Sequence, residues 1–234
     1  MTNPVSEWVL KASNLKDPLV EAASGDASTN WLLLASALQQ GINLCQLQKF
    51  ITELRKNIKD VAELPAPAES LIRDAVIKCK LGNWSLASVV AGIVWSVGRF
   101  ARARENRLDL WAEKTSPADI WRSCGDIFYM GKTSALRPKA LGFLYRIGKG
   151  STLPVSAGAR RWLIRAEIYD AEEDGREKLR KANSLYKELY PKKPALACHA
   201  LQFFAEPLDE NNYFCQRIFP CSLCPVSNYC RSHS

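Results

Sequence analysis

The chain has 234 residues, 47% of them apolar, which gives enough core-forming material for one large domain or two small ones and excludes a disordered chain. Its formal net charge of +8 is concentrated in one place. The stretch from Ile127 to Ala166 contains no Asp or Glu, and its eight basic residues account for the whole excess of 32 basic over 24 acidic side chains. They are Lys132, Arg137, Lys139, Arg146, Lys149, Arg160, Arg161 and Arg165. Such a carboxylate-free segment in an otherwise neutral chain points to a polyanionic partner, nucleic acid above all. No run approaches the roughly 18 apolar residues of a membrane-spanning helix. The N-terminal residues, with Glu7 among them, lack the basic-then-apolar layout of a signal peptide. An intracellular, membrane-free monomer is expected.

In chain order the apolar spacing is helical throughout, and no alternation of β-branched residues marks a strand, so the expected class is all-α. Asn30 is the expected cap of a helix from Trp31 to Gln40, ended by Gly41. Helices follow over Leu44–Lys56, up to the Pro65-Ala66-Pro67 turn, over Ala68–Lys78 and over Ser85–Arg104. Arg99, Arg102, Arg104 and Arg107 are spread around the end of the last of these and read as half solvated. Ser116-Pro117 starts another helix, with serine as cap, proline in the first turn and Asp119 on the positive end of the dipole. Further helices fit Pro138–Ile147, Ala157–Ile168, Glu172–Tyr190 and Ala195–Phe204. Cys45, Cys79, Cys124 and Cys198 lie in this helical context and read as buried thiols.

From about residue 207 the texture changes to Cys, Pro, Asn and Ser. Cys215, Cys221, Cys224 and Cys230 place four thiols within sixteen residues, which so short a chain can gather only by wrapping around something. Four thiolates suit a [4Fe-4S] cube or Zn²⁺. Only Cys221 and Cys224 form a close pair, with five-residue spacers on both sides, an arrangement that a cube accommodates better than a single tetrahedral ion. The spacing is not the tight one of a ferredoxin.

The run Pro220-Cys221-x₂-Cys224-Pro225-x₄-Cys230, with a cysteine shortly upstream, resembles the C-terminal cluster loop of the endonuclease III and adenine-glycosylase (MutY) family. These are helix-hairpin-helix base-excision DNA glycosylases. Leu38-Gln39-Gln40-Gly41 is similar to the family segment whose glutamine enters the gap in the duplex. Leu153-Pro154-Val155-Ser156 through Leu163 is similar to its "VDTHVRRVL" segment, in the same order along the chain.

The resemblance implies a two-lobed all-α fold. One lobe spans residues 30–140 and carries the hairpin. The other joins 1–29 to 141–234, with the cluster loop at 215–230 and a DNA groove between the lobes. It implies a [4Fe-4S] cluster on Cys215, Cys221, Cys224 and Cys230, with Zn²⁺ as the alternative. It also implies binding of double-stranded DNA carrying a lesion, with N-glycosylase or abasic-site lyase activity.

The chain departs from the family in three places, the first being the five residues between Cys215 and Cys221 where the family usually has six. The aspartate that assists departure of the base is replaced by Ser156, a neutral hydroxyl that also fits as an N-cap. The hairpin Tyr129–Ala140 has one glycine, Gly131, where the family has a glycine-x-glycine turn. Lys139 is the nearest match to the lysine that forms a Schiff base in bifunctional members, with phosphate contact as its other reading. Gln39 fits as the wedge or as a polar helix end. Lys132, Arg137, Lys139, Arg160, Arg161, Arg217 and Arg231 are expected to grip the DNA backbone. A catalytically inactive protein that recognises damaged or structured DNA is the alternative, and RNA is a further possible partner.

Overall fold

The computed structural model describes residues 16–39, 42, 44–64, 68–81, 84–127, 138–156, 159–160, 163–164, 166–170 and 172–204. All regular structure among the described residues is helical. The elements are α1 (Pro18–Ala23), α2 (Ser28–Leu38), α3 (Leu44–Arg55), the 3-10 turn η1 (Val61–Glu63), α4 (Glu69–Lys78), α5 (Trp84–Arg102), α6 (Leu108–Lys114), α7 (Pro117–Cys124), α8 (Pro138–Arg146), α9 (Gly175–Leu189) and α10 (Pro194–Phe204). None of these helices is long and apolar enough to cross a membrane.

The chain divides into two compact units, one of Pro18–Ser151 and one of Thr152 onward together with the segment up to Asp17. The first is wider at both ends than residues 30–140, for a physical reason. Its N-terminal helix α1 packs on α3 and α2, and its last helix α8 packs on α2 and α7.

Helix α2 is the hub of the first unit. Every residue from Asn30 to Leu38 is buried, because the run Trp31-Leu-Leu-Leu-Ala-Ser-Ala-Leu is apolar on all sides. It touches α1, α3, η1, α5, α6 and α8. Asn30 does not cap this helix. The residue before the first turn is Ala27, held at a left-handed φ of 53°, and Asn30 lies inside the helix. There its Nδ2 donates to both carboxylate oxygens of Asp60 at 2.8 Å. Asp60 also accepts from the Ala62 N–H at 3.0 Å, and Trp31 Nε1 donates to the Lys59 carbonyl at 3.1 Å. A buried carboxylate is tolerated here because its acceptors are filled. The network clips the η1 loop onto α2.

Helix α5 crosses close to the same loop. A Cβ added at Gly98 would lie 2.7 Å from the Val61 carbonyl oxygen, so only glycine permits this approach. Ser116 caps α7 as its sequence predicts, its Oγ accepting from the Asp119 N–H at 3.1 Å and donating to Asp119 Oδ2 at 2.7 Å. Helix α9 starts at Gly175, three residues later than its apolar spacing suggests, because Asp174 takes the cap position and accepts from the Arg176 N–H.

The four scattered cysteines divide evenly. Cys124 and Cys198 are buried thiols, whereas Cys45 and Cys79 are partly exposed.

In the second unit α9 and α10 pack together and hold an extended segment. Asn183, on α9, pairs reciprocally with the backbone of Leu153. Its Oδ1 accepts from the Leu153 N–H at 3.0 Å, and its Nδ2 donates to the Leu153 carbonyl at 3.1 Å. The Tyr186 hydroxyl donates to the Pro154 carbonyl at 3.1 Å, and the Cys198 thiol reaches the same oxygen at 3.4 Å. Leu153 and Pro154 are thereby fixed by helices that lie thirty or more positions later in the chain.

Candidate nucleic-acid interface

Helix α8 begins with Pro138, a residue suited to the first helical turn because its fixed φ is helical and it has no N–H to satisfy. Lys139 follows at once. It is half-buried, and burial pushes its ammonium below the usual lysine range. Among the described residues desolvation acts alone on this group, with no carboxylate beside it to restore the charge. The segment from Ile127 to Ala166 contains no carboxylate that could pair with it. Among the described residues the Lys139 ammonium makes no hydrogen bond or ion pair.

Gly142 and Arg146 lie three and seven positions beyond Lys139, on the same face of α8. A Cβ built on Gly142 would stand 3.3 Å from Arg146 Nη1 and 3.7 Å from Gln39 Oε1. Gln39 closes the C-terminal end of α2, where its backbone N–H donates to the Ala35 carbonyl. Arg146 Nη1 also reaches Ser36 Oγ at 3.4 Å, one turn back along α2. The packing of α2 against α8 therefore brings Gln39 and Ser36 to Gly142 and Arg146, on the face of α8 that also carries Lys139. Arg146 and Gly142 have no motif in the sequence to mark them. The available signal was a lone glycine inside an otherwise helical run, which often indicates a close approach.

Other basic residues of the carboxylate-free segment play different parts. Lys149 donates to the carbonyls of Glu113 at 2.8 Å and Thr115 at 3.0 Å, and so caps the C-terminal end of α6. Arg160 is exposed. Lys132, Arg137, Arg161, Arg217 and Arg231 lie outside the described residues, and so does most of the hairpin.

Ser156 is a helix cap. Its Oγ accepts from the Ala159 N–H at 3.0 Å, and its carbonyl accepts from the Arg160 N–H at 2.9 Å. Its hydroxyl is thus engaged in starting the helical turn that carries Arg160. The Tyr169 phenol, buried without a hydrogen-bond partner among the described residues, is pushed up by burial, with Arg160 opposing the shift.

Each arginine around the end of α5 has a partner within the protein, although Arg99, Arg102 and Arg107 are exposed and Arg104 Nε is buried without a hydrogen-bond partner among the described residues. Arg102 donates to the Ala62 carbonyl at 2.7 Å. Arg104 is stacked between Phe100 and Trp111, at 3.5 and 4.7 Å from the ring centroids, and desolvation lowers its pKa. Arg99 lies over Trp95 at 4.9 Å, and Arg107 pairs with Asp109 at 3.2 Å.

Cys215, Cys221, Cys224 and Cys230 lie outside the described residues. Among the described residues no group of three or more His, Cys, Asp or Glu is placed to hold a metal. The chemistry of the four-thiol set fits an iron–sulfur cube or zinc equally in charge and ligand type. Comparison with family models, with curated proteins and with solved structures finds no match for this chain.

Proposed function

We propose that this protein is a DNA-binding, base-excision type enzyme that acts at abasic sites, with Lys139 as the amine nucleophile. One observation carries the reading. Lys139 is a desolvated amine without a carboxylate partner among the described residues, on the face of α8 that also carries Gly142 and Arg146. A lysine becomes a nucleophile when burial favours its neutral form, since only the free amine has a lone pair to donate.

In the proposed reaction the Lys139 amine adds to the C1′ aldehyde of a ring-opened abasic site and water leaves, giving an iminium. Loss of a C2′ proton then expels the 3′ phosphate, and hydrolysis of the imine returns the amine. Gln39 fills the space in the duplex, and Arg160 with the other basic residues of the segment holds phosphates. Release of an intact base is a different matter. It calls for negative charge near the sugar, and Ser156, neutral and engaged as a cap, supplies none. The reading is therefore of a lyase first and a glycosylase second.

The tail cysteines belong to the same proposal. Cys215, Cys221, Cys224 and Cys230 would hold a [4Fe-4S] cluster, or Zn²⁺, that fixes Arg217 and Arg231 beside the DNA. The group supplies structure and not chemistry.

A second reading, a binding protein without catalysis, is favoured by the capping role of Ser156 alone. A panel of duplexes separates the two, bearing uracil, an oxidised pyrimidine, 8-oxoguanine or a natural abasic site. The lyase reading expects strand cleavage at the abasic site. Lesion-selective binding with no product from any duplex would establish the second reading instead.

A further inference from the structure

Helix α5 buries one side against α2, α4 and η1. Its other side is exposed at Ser88, Trp95, Arg99 and Arg102, positions that fall on one stripe at helical spacing. Trp95 keeps 44% of its surface in solvent, a large share for the biggest aromatic side chain. Arg99, one turn later, lies over the indole at 4.9 Å from its centroid. The ring holds the guanidinium from one side. Among the described residues the Arg99 N–H groups make no hydrogen bond or ion pair, and they point their donors to solvent. Arg102 adds positive charge at the same end of the helix, with its Nη1 held by the Ala62 carbonyl. All 19 residues of α5 are free of Asp and Glu.

We propose that this outward face of α5 binds single-stranded nucleic acid, an unpaired base stacking on Trp95 while Arg99 holds the adjacent phosphate. The site is separate from Lys139, which belongs to α8, and it stands whether or not the protein cleaves abasic DNA. A ring with a guanidinium on it suits a base followed by a phosphate, since the indole gains by stacking and the planar fork pairs with the anion. An intact duplex hides the faces of its bases, so the ring would gain nothing from one. A protein-docking helix is expected to carry aliphatic anchors one and two turns from its tryptophan. Gly92 and Ser88 occupy those positions here.

Fluorescence anisotropy of the full-length protein with a labelled oligothymidylate, which forms no hairpin, and with a duplex of equal length tests the proposal. Trp95→Ala should weaken binding of the oligothymidylate about tenfold or more, the usual worth of one base–aromatic stack. Trp95→Phe keeps a ring and should stay within about threefold of wild type, which separates loss of the stack from loss of the fold. Arg99→Gln should lower the slope of log affinity against log salt by about 0.7, the value of one phosphate contact on a single strand. Duplex binding should change far less in each variant.

Three outcomes overturn the proposal. The wild type fails to bind the oligothymidylate, or Trp95→Ala binds it undiminished. Equal losses on single strand and duplex assign the tryptophan to a general phosphate surface instead. A wild-type dimer in sedimentation that Trp95→Ala dissolves assigns the face to a second copy of the chain.

Discussion

Two groups of cations in the same unit are used in opposite ways. Around the end of α5, Arg99, Arg102, Arg104 and Arg107 are satisfied by rings, by carbonyls of the η1 loop and by Asp109. On α8, Lys139 is desolvated and makes no hydrogen bond or ion pair among the described residues, whereas Arg146 reaches Ser36 Oγ at 3.4 Å and the Gly142 carbonyl at 3.5 Å. A count of basic residues treats the two groups alike. The difference teaches that the local supply of carboxylates, carbonyls and rings, and not the count of basic residues, decides which cations the fold pairs.

Substitutions at four positions test this contrast, beginning with the largest expected effect. Lys139→Gln should reduce strand cleavage at an abasic site by at least about 100-fold in a single-turnover assay. It should not lower the melting temperature. The folded state depresses the lysine pKa, so at pH values below that pKa the charged side chain costs stability, and a neutral glutamine removes the cost. Arg104→Ala should show the reverse pattern. Loss of stacking on Phe100 and Trp111 should destabilise by about 1 kcal/mol in denaturant titrations, with cleavage unchanged. If Arg104→Ala abolished DNA binding and kept its stability, the division between the two groups would fail.

Ser156→Ala should also cost about 1 kcal/mol, the usual worth of an N-cap, and leave the cleavage rate within about twofold of wild type. Ser156→Asp keeps a good cap and should match wild-type stability. The smallest effect is expected at Arg160, which is exposed. Arg160→Ala should weaken binding to all duplexes alike and reduce the slope of log affinity against log salt by about 0.9.

Much of the fold was legible because it follows from local rules. The Ser116-Pro117-x-Asp119 signature gave the start of α7 correctly, since all its partners lie within one turn. The cap of α2 was not legible. Asn30 has the chemistry of a cap, but its true partner, Asp60, is thirty residues away and exists only once the η1 loop folds back. Ser156 was readable in both its roles from the sequence, and the hydrogen bond from Ala159 establishes the cap.

At the candidate site Lys139 and Gln39 were found by motif. Gly142 and Arg146 were not, because their importance comes from the crossing of α2 and α8 and not from spacing along either helix. Asn183 belongs to the same class. A polar residue in mid-helix, it serves the backbone of Leu153, thirty positions earlier in the chain.

The central claim, that Lys139 is an amine nucleophile in a DNA-repair site, is tested most directly by borohydride trapping on a natural abasic duplex. The cross-linked peptide is then identified by mass spectrometry. The account predicts a covalent protein–DNA adduct on the peptide containing Lys139, absent in Lys139→Gln. No adduct in the wild type, or an adduct of undiminished yield in Lys139→Gln, would contradict it.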